Sequence, residues 1–295
     1  MFDSKKRVLV TGAAGQLGLS IKSLAPRYTD MRFFYTDIQD LDITSAEATD
    51  SYILNNKIDY IINCAAYTSV DKAESDNEAA YSINAEAVRN LALAARNHSA
   101  ALIHISTDYV FGTIPANGLP FKEFDAVNPE CVYGKTKLAG EEEARNTENH
   151  IIIRTSWLYS AYGSNFMNTM LKLGAEKSYL DVVYDQVGTP TYALDLADVI
   201  LNIIRKESPR LENPGLYHYS NEGVCSWYDF ATEIMLAAGL KCVVYPIDSV
   251  DYPTAAKRPA FSVMNKSKIR TTFKLINPHW RDAMQRCLAE IKANQ

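Results

Sequence analysis

The sequence predicts an α/β chain: a doubly wound parallel sheet with a smaller C-terminal substrate-binding lobe. Three observations carry that expectation. Short apolar runs at 7–11, 31–37, 59–64, 101–107 and 151–157 alternate with helical patterns, the order that builds strand–helix–strand units on a parallel sheet. The first run passes directly into Gly12, Gly15 and Gly18 at Gly-x-x-Gly-x-x-Gly spacing, followed by a helical pattern to Leu24. Later runs end in small residues or hydroxyls, where open α/β sheets of the Rossmann kind bind ligands.

Taken in order, Gly12 permits a tight turn, Gly15 lets backbone approach a pyrophosphate, and Gly18 lets the helix pack closely. Gln16 and Leu17 stand at the helix start. The same glycines also suit a turn without a ligand. The run 31–37 ends in Asp37, nineteen residues past Gly18, near the spacing of a carboxylate that accepts from an adenosine ribose. An acid there repels a 2′-phosphate, so NAD(H) is expected to bind at least as well as NADP(H). Strand-end acids also cap helices, which is the alternative for Asp37. Asp42 either meets the adenine amino group or caps the helix that follows.

The run 59–64 reads as a buried strand leading into Ala66, Tyr67 and Thr68, small enough in part for a flat cofactor to lie close. From Asp71 to Arg96 one long helical pattern carries Ala, Ile, Val and Leu on a single face. The strand 101–107 places Thr107 and Asp108 at its end. A polar loop, 112–129, holds three prolines and leads to Tyr133 and a helix over 134–145. Tyr133 and Lys137 are four apart, so a helix puts both on one face. A free phenol, with a pKa of about 10, is a poor acid at neutral pH. An ammonium one turn away stabilises the phenolate and draws the pKa towards the working range. Alone this spacing is commonplace on solvated helices; the glycine turn and Thr107 change its meaning.

The fifth run ends in Trp157, by default a core aromatic. Helical patterns cover 165–173, 195–206, 226–239 and 280–293, with a turn-rich stretch at 185–191. The expected division is residues 1–160 mainly as an NAD(P)-binding domain and 161–295 mainly as the substrate lobe, with interleaved segments.

Composition narrows the partners. The 295 residues are 47% hydrophobic and 22% charged, enough for a full core. A net charge of -5 with scattered Lys and Arg argues against a nucleic-acid footprint. No apolar run approaches the roughly 18 residues that span a bilayer, and residues 1–7 show no signal-peptide pattern, so no membrane association and a cytoplasmic location are expected. Five widely spaced cysteines without Cys-x-x-Cys read as free thiols, and five scattered histidines supply no metal-ligand set.

Seven stretches in order, 11–18, 63–74, 106–111, 133–141, 154–157, 185–191 and 258–259, carry a resemblance to the extended short-chain dehydrogenase/reductase superfamily. Within it the chain resembles the dTDP-4-dehydrorhamnose reductases. The resemblance implies reduction of a dTDP-4-dehydro-sugar by NADH or NADPH, with Thr107, Tyr133 and Lys137 catalytic. Tyr133 would protonate the sugar oxygen, Thr107 would hydrogen-bond the same oxygen or tune the phenol, and Lys137 would grip the nicotinamide ribose. It also implies that Gly12, Gly15, Gln16, Leu17, Gly18, Asp37, Asp42, Ile43, Ala66, Tyr67 and Thr68 hold the cofactor. Asp108, Trp157 and Arg258 would meet the substrate with Thr107, Arg258 alternatively forming a structural ion pair. Tyr67 stands where many relatives have His. Some relatives dimerise through a Mg²⁺-linked acidic surface, so monomer or homodimer, and the ion itself, stay open. A dehydratase would need Asp-Glu where this chain has Asp108-Tyr109. A nucleotide-sugar epimerase, and a non-catalytic regulatory subunit like methionine adenosyltransferase β, remain as rival readings.

Overall fold

The computed structural model describes residues 5–112, 115 and 118–294; the first four residues and part of the predicted 112–129 loop lie outside them. Five strands, β1 (Lys6–Thr11), β2 (Met31–Thr36), β3 (Tyr60–Asn63), β4 (Ala101–Thr107) and β5 (His150–Thr155), form one parallel sheet with a sixth, Gly215–His218. The spatial order runs from the sixth strand through β5, β4, β3 and β1 to β2. The chain therefore steps one way from β1 to β2 and the other way to β3. The gap between β1 and β3 is the topological switch point, where such sheets bind ligands.

Burial on both faces explains the near-continuous apolar strands. Val8 and Val10 of β1, Tyr60 and Ile62 of β3, and Ile151 and Ile153 of β5 face one layer, packed on Leu17 and Ile21 and on Leu196 and Ile200. Those partners come from the helices Gln16–Leu24 and Ala193–Lys206. The alternate residues Leu9, Ile61, Leu102 and Ile152 face the other layer, against Ile53, Val88 and Leu91. Each such aliphatic side chain contributes on the order of 1.5–3 kcal/mol by leaving water. Lys6 Nζ donates to the carbonyls of Ile204, Arg205 and Glu207 at 2.5, 2.9 and 2.7 Å. A cation on orphan carbonyls at a helix C-terminus thus fastens the start of β1 to the helix Ala193–Lys206.

A second core lies outside the sheet, where the helices Phe166–Glu176, Trp227–Ala238 and Trp280–Ala293 pack around Phe230, Trp280 and Met284. A parallel pair, Tyr179–Val183 with Val243–Ile247, flanks it. The helix Trp227–Ala238 begins on a capping box of Ser226 and Asp229 and stops at Gly239, whose φ of 70° is left-handed. Because the helix Ala193–Lys206 and the strand Gly215–His218 return to the main sheet, the second half of the chain serves both cores.

One predicted element differs. The helix expected from Asp71 to Arg96 is broken into Val70–Ala73, Asn77–Tyr81, a π-helical turn Ser82–Glu86 and Ala87–Asn97. The wide turn presents Asn84 inward, where Oδ1 accepts from Tyr67 N at 2.9 Å and Nδ2 donates to Thr136 Oγ1 at 3.0 Å. All five cysteines are free, and no helix among the described residues is long and apolar enough to cross a membrane.

Candidate active site

A cavity of about 900 Å³ opens at the C-terminal edge of the sheet over the switch point. Its floor is the glycine turn. Gly12 has a φ of 62°, and a Cβ there would sit 2.7 Å from the Ala65 backbone, so only glycine fits between the ends of β1 and β3. Gly15 is the N-cap of the helix Gln16–Leu24, which has no side-chain cap. Its first N–H groups face the cavity and suit an anion. The residues therefore fit a dinucleotide pyrophosphate. Gly18 serves packing instead: a Cβ there would lie 2.6 Å from Ala13 Cα, and it does not line the cavity.

Gln16 and Leu17 line the cavity, and Gln16 also ties it to the second core. Gln16 Oε1 accepts from Ser160 Oγ and from Asn165 Nδ2, both at 3.0 Å. Asp37 has two tasks: it lines the cavity, and its Oδ2 accepts from Ala14 N at 3.1 Å, bracing the glycine turn. Asp42 lines the same end with Ile43, and its Oδ1 accepts from the Thr44 hydroxyl at 2.6 Å. That local bond lowers the Asp42 carboxyl pKa, whereas the helix after it is capped by Ser45. Ala66 and Thr68 line the cavity wall; Tyr67 does not, its phenol donating to Asp76 Oδ2 at 3.0 Å.

Thr107, Tyr133 and Lys137 meet on one wall. The strand β4 delivers Thr107, and the helix Val132–Ala144 delivers the other two. That helix packs closely because Gly134 has no Cβ to strike Tyr109 O, which would stand 2.4 Å away. The Thr107 hydroxyl draws the pKa of the Tyr133 phenol down, but burial dominates and pushes the phenol above its ordinary range. Lys137 is 2% exposed and donates from Nζ to Ile105 O at 2.7 Å. Burial draws its ammonium down to about 8, opposed by the charge of Glu141. The expected depression of the Tyr133 phenol by Lys137 is not what this geometry produces. Lys137 is turned to the strand carbonyl, and burial holds the tyrosine in its protonated form.

Asp108 follows Thr107 into the wall, 2% exposed, and accepts from Thr107 Oγ1 at 3.1 Å through Oδ1. Burial raises its carboxyl to about 6, against the pull of the Ser262 and Thr107 hydroxyls. Trp157 lines the cavity as well, with a φ of 50° that a bulky side chain rarely adopts. Its ring stacks on Trp227 at 3.6 Å and 8°. Trp227, Phe166 and Asn165 line the site although no sequence signal singled them out as ligands, and Tyr109 lines it after Thr107 and Asp108 at the ligand-side end of β4. Tyr109 meets Tyr133 edge-on at 5.4 Å.

Tyr109, Phe166 and Trp227 also line a second, adjoining cavity of about 1150 Å³. Arg258 belongs there and not with Thr107 and Asp108. Its guanidinium pairs with Asp71, NH1 to Oδ1 at 3.1 Å and NH2 to Oδ2 at 2.8 Å, so the structural ion pair is present beside the cavity.

The family model described as the RmlD substrate binding domain matches residues 6–293. The dTDP-4-dehydrorhamnose reductase of Aggregatibacter actinomycetemcomitans is 42% identical, over 97% of this chain and 98% of its own. The crystal structure of a dTDP-4-dehydrorhamnose reductase from Clostridium acetobutylicum superposes with a TM-score of 0.91 at 40% identity, covering 97% of this chain and 99% of the other. That of the Bacillus anthracis enzyme in complex with NADP superposes with a TM-score of 0.91 at 38% identity, covering 97% and 99%.

Proposed function

The chain belongs to the dTDP-4-dehydrorhamnose reductase family, and from that premise we propose the following division of labour for its residues. The protein reduces dTDP-4-dehydro-β-L-rhamnose to dTDP-β-L-rhamnose with NADH or NADPH, the last step of dTDP-L-rhamnose synthesis. When bound, a reduced nicotinamide would supply the hydride for the sugar C4 carbonyl. Everything else is done by side chains already in place.

The observation that carries this reading is the meeting of Thr107, Tyr133 and Lys137 on one wall of a cavity floored by an uncapped helix N-terminus. Tyr133, kept protonated by burial, donates its proton to the C4 oxygen as charge develops there. Thr107 tunes the phenol and steadies its oxygen. Lys137 lies beside both as a buried cation and holds the nicotinamide ribose. The glycine turn holds the pyrophosphate, and Asp37 with Asp42 hold the adenosine end. Trp157, stacked on Trp227, walls the sugar. The adjoining cavity with Arg258 takes the nucleoside diphosphate of the substrate. In this assignment residues 1–160 mainly serve the cofactor and 161–295 mainly the substrate, and the five free thiols suit a cytoplasmic setting.

The test offers purified protein enzymatically generated dTDP-4-dehydro-L-rhamnose with NADH and NADPH separately, following loss of reduced-nicotinamide absorbance. One reductant consumed per sugar is expected. Cofactor binding without consumption would overturn the reductase reading.

A further inference from the structure

Directly beneath the catalytic wall lies a charged cluster that the reaction as described does not use. Glu141 is fully buried, and its two oxygens take three hydrogen bonds from two residues. Oε1 accepts from Ser106 Oγ at 2.6 Å and from Arg154 Nε at 2.7 Å, and Oε2 accepts from Arg154 NH2 at 2.7 Å. Arg154 is itself 2% exposed and sits over the Phe111 ring at 5.0 Å. Such a buried, fork-on-carboxylate pair is costly to assemble, and its stability value is commonly small. Its position is more telling. Glu141 lies one helical turn beyond Lys137, which lies one turn beyond Tyr133, on a single face of the helix Val132–Ala144. Ser106 immediately precedes Thr107, and Arg154 pairs with Ser106 across the β4–β5 ladder.

Resting on the reductase reading above, we propose that Glu141 is a positioning residue of this site. It supplies the countercharge for the buried Lys137 ammonium and, through Ser106, fixes the strand end that presents Thr107. Arg154 grips both of its oxygens and keeps the carboxylate oriented.

The charges around the pair are few. On its own helix Lys137 faces Tyr133 and Glu141, and Arg145 approaches Glu141 at 3.9 Å. From the end of β3 comes Cys64, whose thiol burial pushes up to about 12. From β4 come His104, held neutral by burial and by Lys137, and Asp108; from β5 come Arg154 and the more distant His150. Of these, Glu141 is the strongest influence keeping Lys137 protonated against its burial. Without that charge, the lysine loses its proton at lower pH.

The experiment titrates the Lys137 ε-carbon by carbon-13 NMR in the cofactor-free protein, with the resonance assigned by its absence in Lys137→Arg. Glu141→Gln is expected to move the Lys137 midpoint down by about 1–3 pH units, the usual influence of an adjacent opposite charge. NADPH affinity, measured by fluorescence titration, should then weaken about tenfold for each unit above the new midpoint. Because the single change leaves Arg154 buried and unpaired, Glu141→Gln/Arg154→Met removes both charges together and protects folding. It should show a smaller shift of the same sign. A Lys137 midpoint unmoved in both variants overturns the proposal. Neither readout requires turnover, so a wild-type protein that fails to reduce the sugar would overturn the proposed reaction while leaving this one to be judged on the titration.

Discussion

Arg258 meets Asp71 in a bidentate pair, two N–H···O bonds of 3.1 and 2.8 Å, although 187 residues separate them. Asp71 also accepts from Ala256 N at 3.0 Å, so one carboxylate ties the short helix Val70–Ala73 to the segment that walls the second cavity. The guanidinium lowers the Asp71 carboxyl pKa. Both groups are partly exposed, and a pair of that kind contributes only about 0–1 kcal/mol to stability. Its role is better sought in binding.

Arg258→Ala is therefore expected to raise KM for the dTDP-sugar about tenfold or more, with the affinity for NADPH unchanged and a small change in Tm. Steady-state kinetics beside a cofactor titration check this. A fall in Tm with KM unmoved would reduce Arg258 to a structural partner of Asp71.

Tyr133→Phe removes the proposed proton donor while leaving the ring that packs edge-on against Tyr109. We expect kcat to fall by about a hundred- to ten-thousand-fold, the usual scale of a general acid. NADPH affinity should stay near wild type, since the lost interaction is made in the transition state. Near-native turnover would remove Tyr133 from the role.

Asp108 makes a prediction about stability against pH. Its folded carboxyl, raised by burial to about 6, binds its proton more tightly than the unfolded group does. A raised acid contributes stability that is present at low pH and is lost as pH rises from the unfolded value towards the folded one. The loss expected between about pH 4 and 6 is on the order of 3 kcal/mol. Urea unfolding of wild type and Asp108→Asn across that window should show the difference between them narrowing at the acidic end. A constant difference would mean that the carboxyl titrates normally.

Asp37 faces the cavity with a charge and braces the glycine turn through Ala14 N. Asp37→Asn keeps an acceptor for the turn and removes the charge. The NADPH-to-NADH affinity ratio should then rise about fivefold, since like charges some 4 Å apart in water repel by about 1 kcal/mol. An unchanged ratio would confine Asp37 to the turn.

What was legible in the sequence was whatever depends on neighbours in the chain. The glycine turn, Asp37, and the Tyr133–Lys137 spacing are local patterns, and the alternation of Val8, Leu9 and Val10 between two faces is a strand property. Long-range partners were not legible. Trp227 and Phe166 reach the site only because the second core seats their helices beside Trp157. The helix expected from Asp71 to Arg96 is interrupted at 74–76 and widened to a π-helical turn at Ser82–Glu86, where Asn84 bonds to Tyr67 and Thr136, long-range partners that leave no periodicity behind. The spacing puts Lys137 on the Tyr133 face of the helix, but its direction is set by Ile105 O on another element.

Trp157 shows how tightly the long-range part is built. Its left-handed backbone, with φ at 50°, costs about 1–3 kcal/mol and persists because the surroundings over-determine it. Trp227 stacks on its ring at 3.6 Å, and Gly188 leaves the room the ring needs: a Cβ there would stand 2.7 Å from Trp157 Cε2 and 2.7 Å from Ser262 Oγ. Gly188→Ala must therefore tilt the indole or displace the segment that carries Ser262. We expect KM for the sugar nucleotide to rise and kcat to fall while NADPH affinity holds, with an accompanying shift in tryptophan emission. Trp227→Phe should reproduce the kinetic change in part by removing half of the stack. Kinetics unaltered by Gly188→Ala, in a protein whose emission has shifted, would mean that the Trp157 ring moves freely without touching the substrate and that the sugar is walled by other residues.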